Sequence, residues 1–197
     1  MANCDCDIEI NNREQGKVLI ILLGINAVMF LIEIILGIIS ESTALIADSL
    51  DMLADATIYG ISLYAVGRAG ALKIRAAFAS GILQLLFGVI VAVDVLRRLI
   101  WGSDPESLLM ITVGLLALIA NTSCLLLIAK HREGEVHMRA SWIFSKNDVI
   151  ANLGIIIGGG LVYLLDSRFP DLLIGMMISI LVMRGGLIII KDAKSEL

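Results

Sequence analysis

The sequence is poor in the residues that soluble catalysts and nucleic-acid binders rely on. Only two prolines and two histidines occur among 197 residues, and charged side chains make up 17% of the chain. No basic run is long enough to grip a phosphate backbone, so nucleic acid is excluded as a partner, and the net charge of −4 says little about any other. The three cysteines, Cys4, Cys6 and Cys124, form no disulfide framework. The first apolar run is too long for the core of a secretory signal and is followed by no small-residue cleavage site, so it is expected to remain as a span.

Apolar length is abundant. With 58% hydrophobic residues and a mean hydropathy of +0.94, the chain reads as an integral membrane protein. A span needs about 20 apolar residues, so the length accommodates six spans and their connections, with no room for a further soluble domain. The predicted fold class is an all-α membrane protein of six transmembrane helices. Its expected parts are a flexible tail over 1–16, a transport body over 17–190 and a short tail over 191–197.

The second span, 42–66, organises the rest because it carries Asp48, Asp51 and Asp55. A carboxylate near the centre of a lipid-embedded helix costs roughly 3 kcal/mol on insertion scales, so three of them require a reason. At 100° per residue they fall within an arc of about 60°, with Asp51 and Asp55 stacked one turn apart. That stripe must face other helices or a water-filled cavity, where paired carboxylates suit a proton or a divalent cation.

The remaining spans are read as 17–39, 76–96, 107–129, 141–165 and 171–190. Glu33 in the first span is expected near the outer interface, either open to water there or hydrogen-bonded to a neighbouring helix, rather than as a direct ligand. Asp94 with Arg97 and Arg98 reads as an interfacial ion cluster, with the two arginines in the loop that follows. Asn121, Thr122 and Ser123 read as helix-joining hydrogen bonders, and Cys124 beside them as core. His131 and His137 fall in a basic loop and read as solvated. In the fifth span, Asp148 shares a face with Phe144, Ser145 and Asn152, while Asn147 lies about 100° away. Gly154, Gly158, Gly159 and Gly160 allow close helix approach, and Lys146 is expected to snorkel. Arg184 reads either as a snorkelling residue or as a counter-charge to the acids.

Lysine and arginine set the expected orientation. The N-terminus, the loops after the second and fourth spans and the C-terminus hold Arg13, Lys17, Arg68, Lys73, Arg75, Lys130, Arg132, Arg139, Lys191 and Lys194. The opposite connections hold Arg97, Arg98 and Arg168. Both termini are therefore predicted to be cytoplasmic, in a multi-pass protein of the cell (inner) membrane. With that orientation Asp51 lies about 12 Å, Asp55 about 18 Å and Asp148 about 20 Å below the outer surface. Two oppositely running helices thus deliver three carboxylates to nearly one level.

The stretch ESTALIADSLDMLADA after a Glu-bearing first span, and a fifth span with Asp148 followed by VxxNxG, resemble the cation diffusion facilitator family of divalent-metal/proton exchangers. The resemblance covers the chain from Lys17 onward. The family reads His/Asp-x-x-x-Asp in span two, matched by Asp51 and Asp55, and again in span five, where Asp148 matches the second member and Phe144 stands at the first. The resemblance therefore implies Asp51, Asp55 and Asp148 as metal ligands, with Asn152, Ser145, Asn147 or Asp48 as candidates to complete the shell. It also implies a short form, since the family usually adds a cytoplasmic domain after span six and this chain stops at Leu197. A homodimer would then form through the spans.

The expected function is proton-coupled efflux of a divalent transition metal. Zinc leads on family frequency, with Cd2+, Co2+, Fe2+ and Mn2+ compatible with an oxygen-rich site. The metal is cargo, and no cofactor is expected. Protons and the lipid bilayer are the other partners. Cys4 and Cys6 suggest metal capture at the N-terminus, although two thiolates make an incomplete site. Two other classes are weighed against this one. An intramembrane aspartyl protease also needs two acids on facing helices, but its helper motifs are absent. A non-transporting metal-binding partner or sensor subunit would fit the missing fourth ligand.

Overall fold

A computed structural model gives the backbone of residues 3–65, 70–129 and 136–195, and their side chains except at 3–15, 62, 65, 70–73, 76, 136–141, 143, 144 and 195. It contains six helices in chain order: α1 (Asn3–Ile39), α2 (Thr43–Ala65), α3 (Gly70–Trp101), α4 (Ser107–Ala129), α5 (Val136–Leu165) and α6 (Phe169–Ser195). All except α2 contain apolar stretches of 21 to 26 residues, long enough to cross a bilayer. Helix α2 has 23 residues and is the one interrupted by three carboxylates. The outward surfaces carry Ile20, Val28, Leu31 and Ile35 on α1 and Leu86 and Val93 on α3, all about half exposed or more. Water would not tolerate so continuous an apolar surface, and lipid does. This is a multi-pass membrane protein.

Helix α2 packs against each of the other five and stands between α1 and α3, which make no contact with each other among the described residues. Its position begins at the corner with α1. Helix α1 ends in a Schellman turn: Ser42 N donates to Gly37 O at 3.0 Å, Glu41 N donates to Ile38 O at 3.3 Å, and Glu41 takes a left-handed φ of 49°. The next residue opens α2. Ser42 Oγ accepts from Leu45 N at 3.2 Å, while Asp171 of α6 accepts from Thr43 N at 2.8 Å, Ala44 N at 3.0 Å and Ser42 Oγ at 2.6 Å. The first three amides of α2, which have no partner within the helix, are thereby satisfied. A buried aspartate on a distant helix fixes where α2 starts.

The α1–α2, α3–α4 and α5–α6 connections share one end of the bundle, called the turn face below. Glu106 N donates to Ser40 O at 2.9 Å, Asp104 N to Glu41 Oε2 at 3.1 Å, and Arg98 to the Glu41 carbonyl. Arg98 also pairs with Asp94 at 2.5 Å, and Arg97 pairs with the same carboxylate at 2.8 Å. The ion cluster matches the sequence expectation, but α3 continues to Trp101, so both arginines lie on its last turns and not in a loop. Likewise α5 starts at Val136 and α6 runs to Ser195, beyond the spans read from hydropathy. Helical hydrogen bonding continues into polar sequence where apolar patterning stops. Helix α1 similarly begins at Asn3, so the segment holding Cys4 and Cys6 precedes the apolar span in the same helix.

Two glycine seams bring helices close. A Cβ at Gly186 would stand 2.7 Å from Gly81 O, and one at Gly81 would stand 2.9 Å from Gly186 O, so α3 and α6 touch backbone to backbone. Ser179 Oγ donates across the same seam to Gly88 O at 2.7 Å. In α5, a Cβ at Gly159 would meet Met110 Cβ at 3.0 Å and Ser107 O at 3.1 Å, which seats α5 on α4. Gly158 is also at a tight approach, against Ile174 of α6, whereas Gly154 makes only ordinary contact and Gly160 faces open space. Only two of the four glycines expected to permit close packing do so.

Candidate functional site

Helix α2 turns its carboxylates inward, opposite a stripe of Ile46, Leu50, Leu53, Thr57 and Ile61 that stays only partly buried. Asp51 and Asp55, one turn apart, line a cavity of about 270 Å³ together with Asp148 and Asn147 of α5, Gln84 of α3 and Arg184 of α6. Asp51 is half-buried; Asp55 and Asp148 are buried, at 4% and 8% exposure. The Asp55 and Asp148 carboxyls come within hydrogen-bonding reach of each other across the α2–α5 contact. Asp55 Oδ2 also accepts from Tyr59 Oη at 3.4 Å. Thus the three sequence-predicted ligands share one chamber.

Among the described residues, no three His, Cys, Asp or Glu side chains are already gathered as a cage around one point. The chamber is a lined space in which oxygens must draw together to enclose an ion. Arg184 reaches it as well, yet no ion pair joins this exposed arginine to the three acids. A larger recess, of about 600 Å³, lies between the α3–α4 and α5–α6 connections and includes none of these carboxylates.

The candidate shell residues separate. Asn147 lines the cavity. Ser145 is buried against Tyr59, and Asn152 turns its amide back along α5, Nδ2 donating to Asp148 O at 2.7 Å. Asn152 Oδ1 is buried with no partner. Asp48, though on the same stripe of α2, does not line the cavity; its carboxyl meets that of Glu33 on α1. Glu33 itself is completely buried, at 0% exposure, and not open to interfacial water as its sequence position suggested. Covering by α2 overrides its nearness to the end of α1. The side chains of Phe144, Cys4, Cys6 and His137, and all of His131, lie outside the described residues.

Sequence reading missed Tyr59, Gln84 and Cys124 as parts of this region. Tyr59 lies four residues after Asp55, a helical spacing that stacks the two and was available as a signal. Gln84, 3% exposed, is an amide in the apolar stretch between Ser80 and Asp94 of α3. Cys124, 1% exposed, stands close enough to Asp55 and Asp148 to feel their charge, with Asn26 Nδ2 at 3.9 Å from its sulfur. Of its small polar neighbours, Asn121 is buried, whereas Ser123 is exposed and donates to Ile119 O of its own helix at 2.7 Å, so it does not join helices as expected.

The sequence profile of the cation efflux transmembrane domain matches residues 19–197. Similar proteins include the zinc transporter ZitB of Escherichia coli K12, 26% identical over 187 residues, covering 88% of this chain and 60% of that protein. The metal cation efflux system protein CzcD of Cupriavidus metallidurans is 24% identical over 189 residues, with 90% and 60% covered. A cadmium, cobalt and zinc/H(+)-K(+) antiporter of Bacillus velezensis is 22% identical over 191 residues, with 90% and 61% covered. The chain thus spans about 60% of the length of these relatives. With a family profile covering nearly all of it, and six helices around a carboxylate-lined chamber, this chain belongs to the cation efflux, or cation diffusion facilitator, family.

Proposed function

We propose that the protein moves divalent transition-metal cations across the membrane, in exchange for protons, with Asp51, Asp55 and Asp148 as the ligands of the cargo ion. The observation that carries this reading is that two antiparallel helices bring these carboxylates to one cavity. Carboxylate oxygens bind borderline divalent ions and protons in competition, so loading a metal releases protons and protonation releases the metal. Asn147 and water complete the shell where the family places a second ligand in span five, with Ser145 and Asn152 behind it.

Zinc is the proposed cargo. Relatives named for zinc, and one named for cadmium, cobalt and zinc, support it, as does the oxygen-rich donor set. The turn face is proposed to be outside and both termini cytoplasmic, following the lysine and arginine bias. Residues 17–190 then form the transport body, the N-terminal segment with Cys4 and Cys6 delivers metal from the cytoplasm, and a homodimer forms through the spans.

Uptake of zinc into proteoliposomes under an imposed proton gradient tests this. Flux abolished by Asp51→Asn supports the exchanger. Binding without flux in the unaltered protein would support a sensor or partner subunit instead.

A further inference from the structure

The helical corner at Ser40-Glu41 makes α1 and α2 mirror one another. Residues whose numbers sum to about 81 lie at the same depth: Gly37 meets Leu45 and Ile46 near the corner, and Met29 and Met52 share one apolar cluster further in. Glu33 and Asp48 fall on this ladder between those rungs, about 11 Å from the corner. The two carboxyls face each other closely enough for each to bear on the other's charge. Glu33 is 0% and Asp48 1% exposed. Among the described residues, no hydrogen-bond donor reaches Glu33 Oε1, Glu33 Oε2 or Asp48 Oδ2.

Two facing carboxylates offer acceptors only, and an ionised pair without a counter-charge is among the most costly arrangements a bilayer core can hold. Hydrogen bonding explains the buried Asp171, which has three donors. Nothing comparable serves Glu33 and Asp48. A doubly charged cation neutralises both at once and occupies all three orphaned oxygens, whereas one proton neutralises a single group.

We infer that Glu33 and Asp48 form a second binding site for a divalent cation, between the Asp51/Asp55/Asp148 cavity and the turn face. The inference rests on the proposed transport of such ions. Asp48 and Asp55 are two turns apart, about 10 Å along α2, so an ion passing from one level to the other travels along this helix. The pair is sealed in this conformation. The site is a waystation on the route to the turn face.

Equilibrium binding of Cd2+ to the purified full chain in detergent counts the sites. The unaltered protein is expected to bind at two sites, the triple variant Asp51→Asn/Asp55→Asn/Asp148→Asn at one, and Glu33→Gln/Asp48→Asn at the cavity alone. Glu33→Gln by itself keeps the shape of the side chain and is expected to weaken the second site by about tenfold or more while leaving the first unchanged. Either an unchanged number of sites in Glu33→Gln/Asp48→Asn, or no binding in the triple variant, overturns the second site and leaves the cavity reading standing. Absence of Cd2+ binding in the unaltered protein overturns both.

Discussion

Asp55 is the side chain on which the cavity turns, because it meets α5 through Asp148, its own helix through Tyr59 and the open chamber at once. The Tyr59 hydroxyl orients an oxygen that would ligate cargo, and such supporting bonds typically influence affinity by about tenfold to a hundredfold. Tyr59→Phe is therefore expected to weaken zinc binding by roughly that range while leaving the fold intact, as read by titration calorimetry with circular dichroism as control. Asp148→Asn should remove zinc flux altogether, because it deletes the sole carboxylate that α5 contributes to the chamber. Much of this was legible in the residues: spacing placed Asp51 above Asp55, and counting the rise per residue brought Asp148 to the same level. Asp48 was not separable in that way. Its helical angle matches its neighbours, and only the partner helix, which sequence periodicity does not name, assigns it to Glu33.

Helix α2 owes its position to the cap that α6 supplies. Asp171→Ala strips the partners from Thr43 N, Ala44 N and Ser42 Oγ, all buried, so more than a simple surface cap is lost. We expect destabilisation of about 2 kcal/mol or more, visible as a lowered thermal midpoint in detergent. Asp94→Asn, which weakens an ion cluster at the helix end, is expected to cost less than about 1 kcal/mol in the same assay. The α3–α6 seam gives a sharper contrast: Gly186→Val drives a side chain against the Gly81 carbonyl, and backbone cannot rotate away as a flexible side chain can. Among the elements, α4 was readable to its ends because polar and proline-containing sequence brackets a clean apolar run. Helices α3, α5 and α6 were read too short, since charged residues extend a helix beyond the membrane without breaking it.

At the scale of the whole molecule, an acid-bearing helix contacts all five of the others, and this packing is what lets three acids exist in a membrane protein. The proposed orientation, drawn from the lysine and arginine bias, has its own test. In a chain with the native cysteines replaced by serine, Asp104→Cys at the turn face should react with a membrane-impermeant maleimide in intact cells, and labelling only after lysis would reverse the proposed direction. Hydropathy marks five of the six helices, and α2 was read instead from its length and its acidic stripe; the packing of α2 against all its neighbours could not be read, because it depends on long-range contacts. The central claim is that α2 and α5 hold one divalent ion between their carboxylates. Anomalous diffraction from zinc-loaded crystals tests it most directly: the account predicts a zinc peak among Asp51, Asp55 and Asp148, at about 2.0–2.2 Å from their oxygens, that vanishes in Asp55→Asn. A zinc peak elsewhere in the bundle, with these three carboxylates left uncoordinated, would contradict it.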